Sequence, residues 1–189
     1  MILSLLRRNP PKSTIQALYG VIVAQSRLPS FYLRYGVPDT VDGRFEMIVL
    51  HLVLLNARIS REPGRFGALE PALFNRFCTD LDHNLREMGV GDLTVPRRIK
   101  GYAEAFYGRG AAYRAALAAG DRTTLVAALA RNVHGRDEPD DAAGLLADYV
   151  VVAVAALDGV AADALMQGRV SFPDPETIAQ RQGNAARVE

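Results

Sequence analysis

The sequence predicts an all-α protein: one helical bundle of about six main helices with a loose C-terminal tail. Three observations carry this. Apolar residues recur every three or four positions along most of the chain, the period of a helix with one buried face. Prolines, glycines and capping side chains punctuate those long stretches, and no alternating strand pattern appears between them. Finally, 189 residues, 49% hydrophobic and 23% charged, suffice for one ordinary core without a metal or disulfide.

Taken in order, the first helix is expected over Ser13 to Gln25, after a Pro-Pro pair, with Ser13 or Thr14 as cap. Residues 28–35 form a short aromatic segment ended by Gly36 and Pro38. Asp39, Thr40 and Asp42 offer caps for a long helix on which Phe45, Ile48, Leu52, Leu55 and Ile59 share a face. It is apolar almost all round between Met47 and Leu55, which predicts a central position. After Glu62-Pro63-Gly64 comes Ala68 to Met88, striped by Leu69, Leu73, Phe77, Leu81 and Leu85, with Gly89 and Gly91 permitting positive φ at its end. Pro96 suits the first turn of a helix to Ala119. Asp121 caps a shorter one to Asn132, stopped by Gly135, and Asp140 or Asp141 opens the last, reaching Met166. The predicted domain is 13–167, between an N-terminal stub, 1–12, and a flexible tail, 168–189.

A net charge of +1 excludes a polycation that grips nucleic acid by charge alone. The charge is asymmetric: residues 1–66 carry net +5 and residues 121–189 net −5, so the ends can attract each other or face different partners. A single cysteine, Cys78, allows no internal disulfide and no cysteine-built metal cluster, and points to a reducing compartment. Cys78 lies on an apolar stripe, where it reads as inert packing. The apolar runs Met47–Leu55 and Tyr149–Leu157 fall well short of the roughly 18 residues of a membrane span. Met1–Leu6 is too short for a signal-peptide core. The expected location is the cytoplasm, compatible with a peripheral position at the inner membrane.

Motifs for phosphate, dinucleotide or nucleophile-elbow chemistry are absent, so no cofactor is called for. His51, inside an apolar run, reads as a hydrogen-bonded core histidine, and His134 as a helix-end residue. The best acidic cluster is Asp80, Asp82, His83 and Glu87. Asp80, His83 and Glu87 fall at i, i+3 and i+7 and offer oxygen and nitrogen ligands to a divalent ion, the basis of an alternative reading as a metal protein or helical-bundle enzyme. Such sites draw Glu-x-x-His from more than one helix, and no second motif exists here. Surface ion pairs such as Asp82 with Arg86 account better for the cluster. No catalytic set emerges.

The helix after Pro96 carries an aromatic stripe, Ile99, Tyr102, Phe106 and Tyr113. Beside it Gly101, Ala105, Gly108 and Ala112 leave a trough that suits either close packing inside the domain or a docked partner helix. Each interior glycine costs about 1 kcal/mol relative to alanine. Arg97, Arg98 and Lys100 cluster at the helix start, an unfavourable end of the dipole for cations, where they suit a phosphate or a partner's acids.

Several long motifs then support a resemblance. Phe31-Tyr32-x-x-Tyr35-Gly36-Val37-Pro38-Asp39-Thr40-Val41-Asp42-Gly43-Arg44-Phe45-Glu46, followed by His51-Leu52, resembles the ubiquinol–cytochrome c chaperone family. So do Asp80-x-Asp82-x-x-Leu85-Arg86-Glu87-Met88-Gly89-Val90-Gly91-Asp92, Val95-Pro96-x-Arg98-Ile99-Lys100 and Ala105-Phe106-Tyr107-Gly108-Arg109. The resemblance runs from about Tyr19 to Leu157. It implies a non-catalytic assembly factor of the ubiquinol–cytochrome c reductase complex that acts on newly made cytochrome b. The family's mitochondrial members work with a small partner protein and, in yeast, near the ribosome exit; with no mitochondrial targeting extension recognised in the sequence, a bacterial member is expected. A client-binding groove is expected along the helix from Pro96, bearing Gly108, with Arg97, Arg98 and Lys100 at its mouth. Tyr32, Tyr35 and Tyr107 are expected to supply aromatic contacts. Asp39, Asp42 and Arg44 are expected to be partly structural, Asp42 as a cap worth about 1 kcal/mol.

Overall fold

The computed structural model describes residues 10–185, with side chains through residue 181. Much of the expected stub and the end of the expected tail therefore lie outside the described residues. Ten helical segments follow in order: α1 (Lys12–Ser26), α2 (Pro29–Leu33), α3 (Val41–Ile59), α4 (Pro63–Phe66), α5 (Leu69–Glu87), α6 (Val95–Ala119), α7 (Arg122–Val133), α8 (Asp141–Asp158), α9 (Ala162–Met166) and α10 (Pro175–Ala185). Among the described residues there is no strand, as the periodicity predicts.

The all-apolar helix is central. α3 packs against α1, α5, α6, α7 and α8, and every side chain from Val49 to Leu55 is buried. A helix wrapped on all sides needs no polar stripe, which explains its composition. The one polar group in that run, His51, is fully satisfied. Its Nδ1 donates to Met47 O (2.7 Å), and Tyr149 Oη donates to its Nε2 (2.8 Å). Gln25 then donates to both Tyr149 Oη (3.1 Å) and Pro173 O (2.8 Å), so one relay ties α1, α3, α8 and the C-terminal segment together. Burial holds the His51 pKa down to about 4 and keeps it neutral.

The caps differ from expectation at two helices. α1 begins at Lys12 behind Pro11 with no side-chain cap; Thr14 is already inside it and donates to Met166 O (3.0 Å). At α3 the cap is Thr40, whose hydroxyl accepts from Gly43 N (3.1 Å), while Asp42 sits exposed in the first turn and Asp39 pairs with Arg44 (2.8 Å). Only a side chain at the residue before the helix can turn back onto the third amide, and that residue is Thr40. Thr40→Ala is therefore expected to cost about 1 kcal/mol in urea denaturation, and Asp42→Ala within about 0.5 kcal/mol of nothing. Asp121 caps α7 as predicted, and of the two candidates at α8 it is Asp140 that caps while Asp141 sits in the first turn. Gly89 supplies the positive φ that ends α5, and Gly91 does not.

The end of the chain departs further. The expected helix to Met166 breaks at Gly159 into α8 and α9, because Ala161 is extended. Within the segment expected as a loose tail, residues 169–181 are instead strapped over α1, α2 and α8, while its last residues lie outside the described ones. Phe172 lies edge-on to His51, Tyr35 Oη donates to Pro175 O (2.7 Å), and Ser30 and Arg34 both reach Glu176. Ile178 and Ala179 join the core. Polar anchors and a few buried side chains together hold this short segment.

Candidate functional site

A cleft of about 590 Å³ opens between the start of α3, the first half of α6 and the end of α7. Its α6 wall includes Gly101 and Ala105 from the small-residue trough. A side chain built at Gly101 or Gly108 would meet nothing within 4 Å, so these two glycines face outward, whereas Ala112 of the same stripe packs against the core. The glycine that does serve close packing is Gly110, where a Cβ would come to 3.3 Å from Val53 Cγ2. The turn before α3 presses close from the other side, bringing Pro38, Thr40 and Gly43 into the lining.

At the cleft, Arg109 of α6 donates to Glu46 Oε1 of α3 at 2.5 Å, with side chains only 22% and 8% exposed. Burial pushes the Glu46 pKa up to about 7, with Asp42 adding to the shift and Arg109 opposing it. The neighbouring guanidinium therefore offsets only part of the cost of taking the carboxylate out of water. Glu46 Oε2 and Arg109 Nε have no hydrogen-bond partner. His134, at the end of α7, donates from Nε2 to Tyr35 O (2.9 Å), because a carbonyl can only accept; its Nδ1 makes no hydrogen bond of normal geometry, although the Leu129 carbonyl also acts on the ring. Behind them the buried Tyr113 hydroxyl feels Asn132 without a hydrogen bond of normal geometry.

The ubiquinol-cytochrome C chaperone family model matches residues 33–172. The chain belongs to that family. The crystal structure of the Cbp3 homolog from Brucella abortus is similar over 93% of this chain and 98% of its own, at 40% identity and a TM-score of 0.79. A search of curated proteins finds no match. The resemblance carried by the sequence motifs is thereby shown, and with it the role of a chaperone and assembly factor for ubiquinol–cytochrome c reductase.

Two of those family-like motifs, around Glu46 and around Arg109, are 63 residues apart and meet in this ion pair. The individual residues expected to bind a partner do not form one patch. Asp42 and Arg98 line the cleft. Arg97, Lys100, Tyr107 and Gly108 lie on the exposed outer face of α6, with Lys100 paired to Glu104 (3.7 Å) and Tyr107 resting on Phe74 and Phe106. Tyr32, Asp39 and Arg44 line a separate recess near α2. Tyr35 is fully buried, so its ring contacts the core and not a partner. Sequence reasoning missed Glu46, Arg109 and His134 as a set. The available signal was an isolated carboxylate at the edge of the otherwise apolar Phe45–Leu55 run.

A second, more apolar groove lies between α1, α3 and α5, floored by Ile48, Phe77 and Leu81 and flanked by exposed Val41 and Met88. The alternative metal cluster faces that side but is not assembled. Asp80 accepts from Tyr19 (3.0 Å), Asp82 pairs with Arg86 (2.7 Å), and His83 pairs with Glu87 (3.1 Å). Among the described residues no group of three metal-ligating side chains comes together. No described helix is long and apolar enough to cross a membrane.

Proposed function

We propose that this family member is a non-catalytic, bacterial assembly factor that captures newly made cytochrome b through the α3–α6–α7 cleft. Capture would promote its incorporation into the ubiquinol–cytochrome c reductase complex. The observation that carries the cleft is the buried Glu46–Arg109 pair, which joins two family-like motifs. A buried ion pair is weak evidence for stability, so its placement calls for a second role. The outward trough gives a partner's backbone close access, and Arg97 and Arg98 at the helix start suit charged ends of a client segment. Contacts with the ribosome or a small partner protein belong to the same reading.

The direct test is an affinity pull-down from membranes of the native host, with co-purifying proteins identified by mass. Cytochrome b is the expected client, and deletion of the gene is expected to lower the assembled complex while its transcripts persist. Normal assembled cytochrome b in the deletion strain would overturn the reading. To locate the surface, Gly101→Leu fills the trough where it lines the cleft, in space that is open, so the fold should survive. Arg98→Glu with Lys100→Glu reverses the charge at its mouth. Both are expected to weaken capture; retention in both folded variants would move the site to the apolar groove beside α5.

A further inference from the structure

We infer that the cleft receives an extended polar peptide segment through its amide groups, main-chain or carboxamide, and not an apolar membrane helix; this rests on the cleft being the client surface. Six buried side-chain atoms among the described residues lack a hydrogen-bond partner, and three of them belong to wall residues of this one cleft: Glu46 Oε2, Arg109 Nε and His134 Nδ1. Buried polar groups in folded proteins are nearly always paired, so a local concentration of unpaired ones marks a place where something else completes the pairing. Glu46 is 7% exposed, and so is His134.

The chemistry of the missing partner follows from the set. Two of the atoms accept and one donates. The charged side chains lining the cleft balance, Asp42 and Glu46 against Arg98 and Arg109, so a charged ligand meets no net opposite charge. An amide is neutral and offers one donor edge and one acceptor, matching Glu46 Oε2 or His134 Nδ1 on one side and Arg109 Nε on the other. An apolar helix would leave all three as unpaired as they are in the free chain and gain nothing from them, whereas an amide gains the pairing. Size agrees: about 590 Å³ is the range of a small-ligand or short-peptide site, whereas a membrane-spanning helix is roughly 30 Å long and 10 Å wide. The three atoms are closed to solvent in the free chain, so the wall side chains part as the amide seats.

The test uses the full chain in NMR titrations at about pH 8, where Glu46 is ionised. One probe is an acetylated, amidated Ser-Asn-Gly-Asn-Ser peptide; the other is a helical leucine–alanine peptide in detergent. The polar probe is expected to shift the amide resonances of Glu46, Arg109 and His134. Glu46→Gln keeps the volume but replaces the free acceptor by a donor, and should weaken that binding at least about tenfold. His134→Gln serves as the second variant if Glu46→Gln does not fold. The proposal fails if the helical probe alone shifts these resonances, or if neither folded variant changes polar-peptide affinity. Its failure is separable from that of the chaperone reading. Cytochrome b capture that survives Glu46→Gln sinks this inference and spares the chaperone, whereas peptide binding at the cleft with no cytochrome b capture does the reverse.

Discussion

Gly43→Ala is expected to destabilise the chain by about 2 kcal/mol or more and to deform the cleft, the largest effect of any single methyl group added here. A Cβ at Gly43 would lie 2.0 Å from the Pro38 carbonyl oxygen and 3.0 Å from its carbon. Both are backbone atoms, so no rotamer change relieves the clash. The turn has little room to retreat. Val37 on one side of Pro38 is buried, the proline ring fixes its own φ, and Thr40 both donates its amide to Pro38 O (2.9 Å) and caps Gly43 N. Either α3 loses its cap or the turn lifts off the cleft wall. A lower urea midpoint at unchanged slope, with shifted resonances for Thr40 and Glu46, is the expected result. An unchanged midpoint would show that the turn is pliant.

Glu46 is expected to tilt the pH dependence of stability by about 3 kcal/mol. Its carboxyl is raised from an ordinary value near 4.5 to about 7 by burial, so the folded chain holds that proton more tightly than the unfolded one. The resulting stability is fully present below about pH 4.5 and is lost as the pH rises through about 7. Glu46→Gln removes this slope. Arg109 keeps one-fifth of its side chain in solvent, so the variant does not strand a fully buried cation. His51 works in the opposite sense: its pKa is lowered from 6.5 to about 4, so its contribution is present above about 6.5 and lost as pH falls towards 4. The two slopes overlap between roughly pH 4.5 and 6.5, and only the difference between wild type and Glu46→Gln isolates the carboxylate. Parallel denaturation curves from pH 5 to 8 in the two proteins would show that the ion pair compensates the burial in full.

The contrast between these two residues explains what could be read from the chain. His51 was legible because an isolated polar residue within a nine-residue apolar run has to be buried, and a buried imidazole has to be bonded. Its partners, Tyr149 and Met47, were not legible, since Tyr149 lies 98 residues away. Glu46 looked like any charged residue in the first turns of a helix. Its burial is imposed by α6 and by the turn at Pro38, neither of which its own neighbours reveal. The small-residue trough was visible in the sequence but its direction was not. Gly101 and Gly108 face open space while Gly110, one step round the same helix, carries the close contact with α3.

By itself the sequence determined the all-α class, most of the long helices, the central place of Val41–Ile59, the cap at Asp121, and the family. These depend on periodicity, capping and motif spacing, each of which is decided within a turn or two of chain. The tertiary structure alone decided that residues 169–181 strap the bundle, that the helix expected to reach Met166 breaks at Gly159, and that Thr40 and not Asp42 caps α3. It alone brought Glu46, Arg109 and His134 to one cleft. Burial and pairing of a polar side chain depend on whichever distant segment packs over it, and a short helix held largely by long-range polar anchors shows only which of its faces is apolar, not where that face docks.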